Sequence, residues 1–232
     1  VSQVVALDLD SLEVVSEPWL DFADFEGESV IEHPGPGQGY LLSTIDKSIL
    51  LRLDPQSLRE TERRWFGDDL HVVTRLFDLA FIEPGLALVS STSTLQVLDA
   101  DLGLRARREE LGINQFGAVD PARRRFYVND SLRRQLQVYS LPDLEPVARR
   151  SIDGGAYHLA FTPGGGLIAT SHFFGGLMAF FDAETLEPRG RVRVGPGPRP
   201  GLIVPASNAF YGASNCGLFR MPLDSIGDGG GP

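Results

Sequence analysis

The sequence predicts an all-β chain assembled from repeats of four short strands, and three observations carry that expectation. The first is a recurring block: an apolar strand, a turn with Asp, Pro or Ser, then Leu, a polar residue and a second strand. Its copies are VVALDLDSLEVV, LLRLDPQSLRET, LQVLDADLGLRA, LQVYSLPDLEPVA and MAFFDAETLEPRG. The pivot leucine falls at Leu12, Leu58, Leu104, Leu144 and Leu186, at intervals of 46, 46, 40 and 42 residues, and a weaker copy, LFRMPLDSIGD, sets Ile226 a further 40 residues on. The second is a two-strand block before each of these, joined by a Pro or Gly turn: VIEHPGPGQGYLLST, LAFIEPGLALVSS, GAVDPARRRFYVND, LAFTPGGGLIATS and LIVPASNAFYGAS. Val, Ile, Leu, Phe and Tyr fill the strands, and Gly, Pro, Asp and Asn punctuate them. The third is that no segment of helical length keeps a 3.6-residue apolar period. EVVSEPWLDFADF comes nearest, and Pro18 interrupts it.

Periods of ~40–45 residues with four strands each are the signature of propeller blades. The expectation is therefore a β-propeller of five to six four-stranded blades over residues 1–224, or a part of a larger seven-bladed ring, with a disordered Gly-rich tail over 225–232. The chain starts with the third and fourth strands of a blade and finishes with a first, second and third. LEVVSE is placed to complete the last blade, leaving QVVALDL as a surplus strand.

Composition narrows the function classes. Lys plus Arg total 21 and Asp plus Glu total 31, a formal net charge of −10. That opposes a nucleic-acid footprint, which needs a basic face. The single Cys216 excludes an intramolecular disulfide framework. No apolar run approaches the ~20 residues of a membrane span. VSQVVALDLD lacks the basic and apolar regions of a signal peptide.

Phe126-Tyr127-Val128-Asn129-Asp130 resembles the repeat of the propeller family named for the tetrapeptide Tyr-Val-Thr-Asn, with the Thr missing. LAFTPGGGLIATS and FFDAETLEPRGRVRVGPGPRPG are similar to the family's strand, Pro-Gly turn and Asp-turn-Leu pattern. The resemblance covers residues 5–224 and is strongest from Gly117 to Ser214. It implies an often extracytoplasmic β-propeller with no single chemistry. Related propellers include lactone hydrolases, a streptogramin lyase and quinoprotein amine dehydrogenase subunits, none of whose catalytic residues match here.

In such a fold the loops into the first strands and those between second and third strands share one face, the usual binding surface. The repeat places Asp24, Glu26, Arg75, Asp78, Asn114, Gln115, Tyr157, His158 and Arg199 on the first set. Asp46, Lys47, Asn129, Asp130, His172, Phe173, Phe174 and Asn215 fall on the second. The Pro/Gly turns, with Arg123, Arg124 and Arg125, fall on the opposite face and read as solvated.

Within the binding face, Arg75, Gln115, Tyr157, His158, His172 and Arg199 are the expected ligand-binding residues. Donors, an aromatic surface and imidazoles suit an anionic or carbonyl-bearing ligand. His158 and His172, expected as neighbours, offer a metal-binding or acid–base pair near neutral pH. Rim packing is the commoner use of such histidines, and no third ligand is evident beyond His71, so no metal is assigned. Tyr157, Phe173 and Phe174 read as an aromatic ledge or as packing between blades. Asp24, Glu26 and Asp46 match no calcium-loop motif, GPGQG is followed by no helix, and Asn129-Asp130-Ser131 is a formal glycosylation triplet. Cys216 reads as a buried or inert thiol. The functional expectation is a non-catalytic binding or scaffold module for a small molecule or protein partner, without a cofactor. The alternative is a lactonase-like or lyase-type small-molecule enzyme with a metal or a histidine pair at the channel mouth.

Overall fold

The computed structural model describes residues 6–7, 14–16, 29–32, 40–44, 49–54, 59–65, 76–91, 94–109, 114–198 and 201–226. Within them the chain is all-β, with no α-helix among the described residues. A pair, β1 (Ala6–Leu7) and β2 (Val14–Ser16), comes first. Four antiparallel four-stranded sheets follow. They are β3 (Ser29–Glu32) to β6 (Glu60–Trp65), β7 (Leu76–Glu83) to β10 (Leu104–Arg108), β11 (Asn114–Asp120) to β14 (Pro146–Ser151), and β15 (Ala156–Phe161) to β18 (Pro188–Arg193). A three-stranded sheet, β19 (Leu202–Val204), β20 (Ala209–Ser214) and β21 (Gly217–Pro222), closes the series. In each sheet the strands lie in chain order, as connections of two to seven residues dictate. The first strands of successive sheets pack side by side: β3 on β7, β7 on β11, β11 on β15 and β15 on β19.

Stacking of sheet on sheet explains the strand compositions. In the sheets β7–β10, β11–β14 and β15–β18 a second or third strand has a neighbouring sheet on each face, so nearly every residue is buried and the sequence runs apolar without alternation, whereas β20 and β21 of the last sheet are largely open. In β12 (Arg125–Asp130), Phe126 and Val128 pack toward the preceding sheet with Leu88 and Val97, while Tyr127 packs toward the next with Leu159 and Ile168. Outer strands see less of the stack. β14 and β18 are almost wholly exposed and carry Arg149, Arg150, Arg189, Arg191 and Arg193.

The joint between sheets is a leucine in the left-handed region. Leu102 (φ 55°), Leu144 (φ 58°) and Leu186 (φ 59°) occupy the same place in successive turns between third and fourth strands. In each, the amide donates to the carbonyl of the turn's first residue, Asp99, Ser140 or Asp182, at 3.0, 2.9 and 2.9 Å. That first residue's side chain caps the turn. Asp99 Oδ1 accepts from the amides of Asp101 and Gly103, Asp182 Oδ1 from those of Glu184 and Thr185, and Ser140 Oγ from that of Glu145. Arg189 and these turn amides hold the Asp182 carboxyl well below the usual carboxylate range. The left-handed backbone costs a residue with a Cβ about 1–2 kcal/mol. It aims the leucine between its own sheet and the preceding one, where burial returns about 1.5–3 kcal/mol. Leu102 joins Leu50 and Leu79, Leu144 joins Leu88 and Phe126, and Leu186 joins Tyr127 and Leu159.

Several expectations are corrected here. The pivot of the third copy is Leu102 and not Leu104, which is exposed at the start of β10. The spacing from Leu102 to Leu144 and from Leu144 to Leu186 is then 42 residues each. Sequence similarity had aligned on the wrong leucine because Gly103 separates two of them. Val14–Ser16 of LEVVSE form β2, which pairs with β1, Ala6 opposite Ser16, and β21 has no fourth strand beside it among the described residues. The tail begins later than expected: Leu223–Ile226 form a 3-10 turn, and Ile226 is buried with Met178, Phe180 and Phe210. Residues 227–232 and the pivots Leu12 and Leu58 lie outside the described residues.

The far end of the sheets is also more structured than a solvated turn. Glu184 accepts from Arg123 Nε and Arg125 Nη2 of the preceding sheet, both at 3.0 Å, and Arg123 also reaches Asp120 at 2.6 Å and the Gly165 carbonyl at 3.1 Å. Tyr127 donates its hydroxyl to the Ala183 carbonyl at 2.8 Å, beside that network. Outer strands add arginines six residues past each pivot: Arg64 donates to the Leu102 carbonyl, Arg108 to that of Leu144 at 3.5 Å, and Arg150 pairs with Glu187 at 3.0 Å. Each links its sheet to the turn of the next. Val192 takes this place in β18.

The buried plug should outweigh the exposed staple. Leu144→Ala is expected to lower unfolding free energy by about 2–5 kcal/mol, and Arg108→Ala by no more than about 1 kcal/mol. Urea titrations of the two variants check this; equal losses would mean that the leucine is not the joint.

Candidate binding face

First strands begin, and second strands end, at one end of the sheets. Three of the five first strands, β7, β11 and β15, are irregular there. The pairing register slips between Leu76 and Asp78, between Asn114 and Gly117, and between Ala156 and His158. Such bulges re-aim side chains and are common beside functional sites. Gln115 and Tyr157, both expected on loops, are bulge residues inside β11 and β15. Asn114 and Asp78 likewise lie within strands. Arg75, Arg199, Asp24, Glu26, Asp46, Lys47 and His71 lie outside the described residues.

The two histidines do not form a pair. His158 stands opposite Ser171 in the β15–β16 register, whereas His172 is the next residue along β16 (Leu167–His172) and stands opposite Ala156. Adjacent residues of a strand face opposite sides of the sheet, so the imidazoles diverge. His172 is fully buried. Its Nδ1 lies 3.0 Å from the Asp153 carbonyl, which can only accept, so Nδ1 carries the proton; Nε2 then accepts from Thr170 Oγ1 at 2.7 Å. Burial pushes its pKa down. His158 is half-buried, and burial lowers its pKa to about 4. Burial thus disfavours the charged form of both rings. Among the described residues no three His, Cys, Asp or Glu side chains converge as metal ligands would.

What His172 does is hold a loop. The segment Ile152–Gly155 crosses from the third sheet of four strands to the fourth and is tied at three successive points. The Ile152 amide donates to the Arg134 carbonyl at 2.9 Å, the Asp153 carbonyl accepts from His172, and the Gly155 carbonyl accepts from the Phe173 amide at 2.8 Å. The loop surface is made by its two glycines. A Cβ on Gly154 would lie 3.3 Å from Arg134 Nε, and one on Gly155 would lie 2.5 Å from Phe174 Cδ2. Gly155 also has φ +75°, which side chains disfavour. The bare backbone thus leaves room for Arg134 against Gly154 and for Phe174 against Gly155.

The aromatic ledge expected from sequence is present. Tyr157 and Phe173 ring centroids are 6.5 Å apart, and Phe173 meets Phe174 edge-on at 5.6 Å. Phe174 is 85% exposed. Two side chains that sequence reasoning missed extend the surface. Leu132, 68% exposed, holds the same second place in the four-residue turn 131–134 that Phe174 holds in 173–176. Leu218, 91% exposed, starts the third strand of the last sheet. These three are the most exposed large apolar side chains among the described residues. Their equivalent positions in SLRR and FFGG were the signal available.

Other expected face residues are structural. Asn129 is fully buried and donates Nδ2 to the His158 carbonyl at 3.2 Å, so the glycosylation triplet is not presented. Asp130 is buried and accepts from the Arg133 amide at 2.8 Å. Asn215 lies in the turn after β20, where its side chain covers Gly197 as Phe174 covers Gly155. Cys216 is exposed, not buried. No helix among the described residues is long and apolar enough to cross a membrane. Comparison with protein-family models and with curated proteins returns no match.

Both imidazoles are held neutral, so acid should loosen the fold. An unfolded histidine charges below about pH 6.5, and a native one with a depressed pKa does not. Stability should be complete above that pH and fall as pH drops toward the native value of about 4 for His158. In His158→Gln the melting-temperature difference between about pH 7 and about pH 4.5 should shrink. An unchanged difference assigns the acid sensitivity to other groups.

Proposed function

We propose that the chain is a β-propeller of four-stranded blades that acts as a non-catalytic binding module through the end carrying Tyr157, Phe173, Phe174, Leu132 and Leu218. The propeller reading is supported by the four-stranded sheets in chain order, their first strands packed side by side, and the leucine joint repeated between them. The kinship with the Tyr-Val-Thr-Asn repeat proteins is supported by the work Tyr127 and Asn129 do. Both point to the next sheet, one latching a turn carbonyl and the other a first-strand carbonyl.

One observation carries the binding reading: Phe174, the most exposed aromatic among the described residues, is held in place rather than merely left in water. It is braced by Phe173 and seated on Gly155, whose backbone is fixed from below. A preorganised apolar side chain loses little entropy on binding and makes an effective anchor. The histidine-pair form of the enzyme alternative relied on His158 and His172 acting together, and their rings face opposite sides of the sheet. Gln115 and Tyr157 remain assigned to the binding face through their bulges; Arg75 and Arg199 remain assigned by sequence alone.

The test uses a phage-displayed random peptide library panned against the immobilised protein. Enriched peptides should bind Phe174→Ala at least about tenfold more weakly, ~1.4 kcal/mol, at an unchanged melting temperature. Full affinity for the variant would place the binding surface elsewhere.

A further inference from the structure

Charge is divided between the two ends of the sheets formed by β11–β14, β15–β18 and β19–β21. At the far end stand Asp120, Asp143, Glu145, Asp182, Glu184, Glu187 and Asp224, against Arg123, Arg124, Arg125, Arg189 and Arg150, which reaches Glu187. At the end with Phe174 the order is reversed. Arg133 and Arg134 occupy the turn with Leu132, and Arg149, Arg191 and Arg193 lie toward the ends of β14 and β18. The acids there are Asp130, which is fully buried, and Asp153. Arg191 approaches Asp153 at 3.7 Å with both side chains well exposed. A protein of net charge −10 thus gathers arginine around its apolar anchors.

At the centre, Arg134 lies over Gly154 and Phe174 over Gly155. The two side chains come from successive sheets and are set against one loop. A guanidinium and an aromatic ring set against consecutive residues of one loop offer one ligand a carboxylate site and an apolar contact. Leu132 and Leu218 continue the apolar contacts on either side, along successive sheets.

From this we infer that the partner is an acidic peptide segment: an extended stretch carrying aromatic or aliphatic anchors between carboxylates. The inference rests on the binding reading above and narrows it. Anchors pack on Phe174, Leu132 and Leu218, and the flanking carboxylates pair with Arg134 and Arg193. The field of the arginines speeds encounter with an acidic chain, while the acidic remainder of the surface repels it elsewhere. A neutral apolar peptide would find the anchors without that guidance.

The peptides enriched by panning decide the matter through their charge. The enriched pool should be richer in Asp and Glu than the input library, with aromatic or aliphatic residues between them. For the strongest of them, measured by fluorescence anisotropy, affinity should fall at least about fivefold on raising salt from 50 to 500 mM, since the Debye length shrinks several-fold over that range. The double variant Arg134→Glu, Arg193→Glu should lose at least about tenfold, and Arg123→Glu at the far end should change little. A pool of neutral or basic peptides that still requires Phe174 overturns the acidic partner and leaves the binding reading standing. No enrichment at all overturns both. Displacement of the peptide by an equal concentration of a single-stranded dT oligonucleotide overturns the assignment to a peptide.

Discussion

A leucine placed where leucine is disfavoured governs this fold. Leu102, Leu144 and Leu186 each accept a left-handed backbone so that an apolar side chain leaves the plane of its own sheet and fills the gap to the sheet before it. An ordinary right-handed turn residue would point elsewhere. Glycine would adopt the angle more easily and leave nothing to bury. The conflict between backbone cost and burial gain is settled by size: the gain is the larger, by a margin of about 1 kcal/mol per joint. Everything else at the far end is arranged around those turns, from the capping Asp99, Ser140 and Asp182 to the arginine network on Glu184.

Fixing the sheets at one end lets the other end differ from one sheet to the next. The loops at that end are tied by main-chain hydrogen bonds and by one buried histidine, and Leu132, Arg133, Arg134 and Phe174 on them are left to solvent. His172 shows how a functional residue type can serve a structural purpose. Its hydrogen bonds use both ring nitrogens inside the protein, and they support the backbone beneath Arg134 and Phe174 instead of reaching a ligand. Glycine has a corresponding part, since Arg134 and Phe174 have room there only because Gly154 and Gly155 project nothing.

The strands, their order and their approximate repeat were legible because strand patterning is local. Apolar runs bounded by Pro, Gly and Asp mark strands wherever the neighbouring sheets bury both faces. The pivot at Leu144 and Leu186 was legible for the same reason. Leu102 was misread as Leu104 because the choice between two leucines either side of Gly103 depends on backbone handedness, which side-chain type does not record. The aromatic ledge was legible in Tyr157, Phe173 and Phe174. The histidine pair failed on parity: a bulge between Ala156 and His158 sets which residues stand opposite, and no sequence spacing of 14 residues reveals it. Arg134 and Leu132 went unnoticed since their importance comes from a neighbouring sheet's glycine loop and turn, which only tertiary structure brings beside them.

The staple missing at Val192 has a mechanical consequence. A stack in which each layer touches only its neighbours unravels like a one-dimensional chain, starting at its weakest junction. The junctions before it each carry an arginine clasp, from Arg64, Arg108 and Arg150, whereas the last sheet is held to its neighbour by the buried cluster of Met178, Phe180, Phe210 and Ile226 without one. Thermal peeling should therefore begin with β19–β21, and native-state amide exchange would register it as β20 opening at lower free energy than β12 or β16. The order of opening would be written into the outer edge of the molecule, in the one fourth strand where valine replaces arginine.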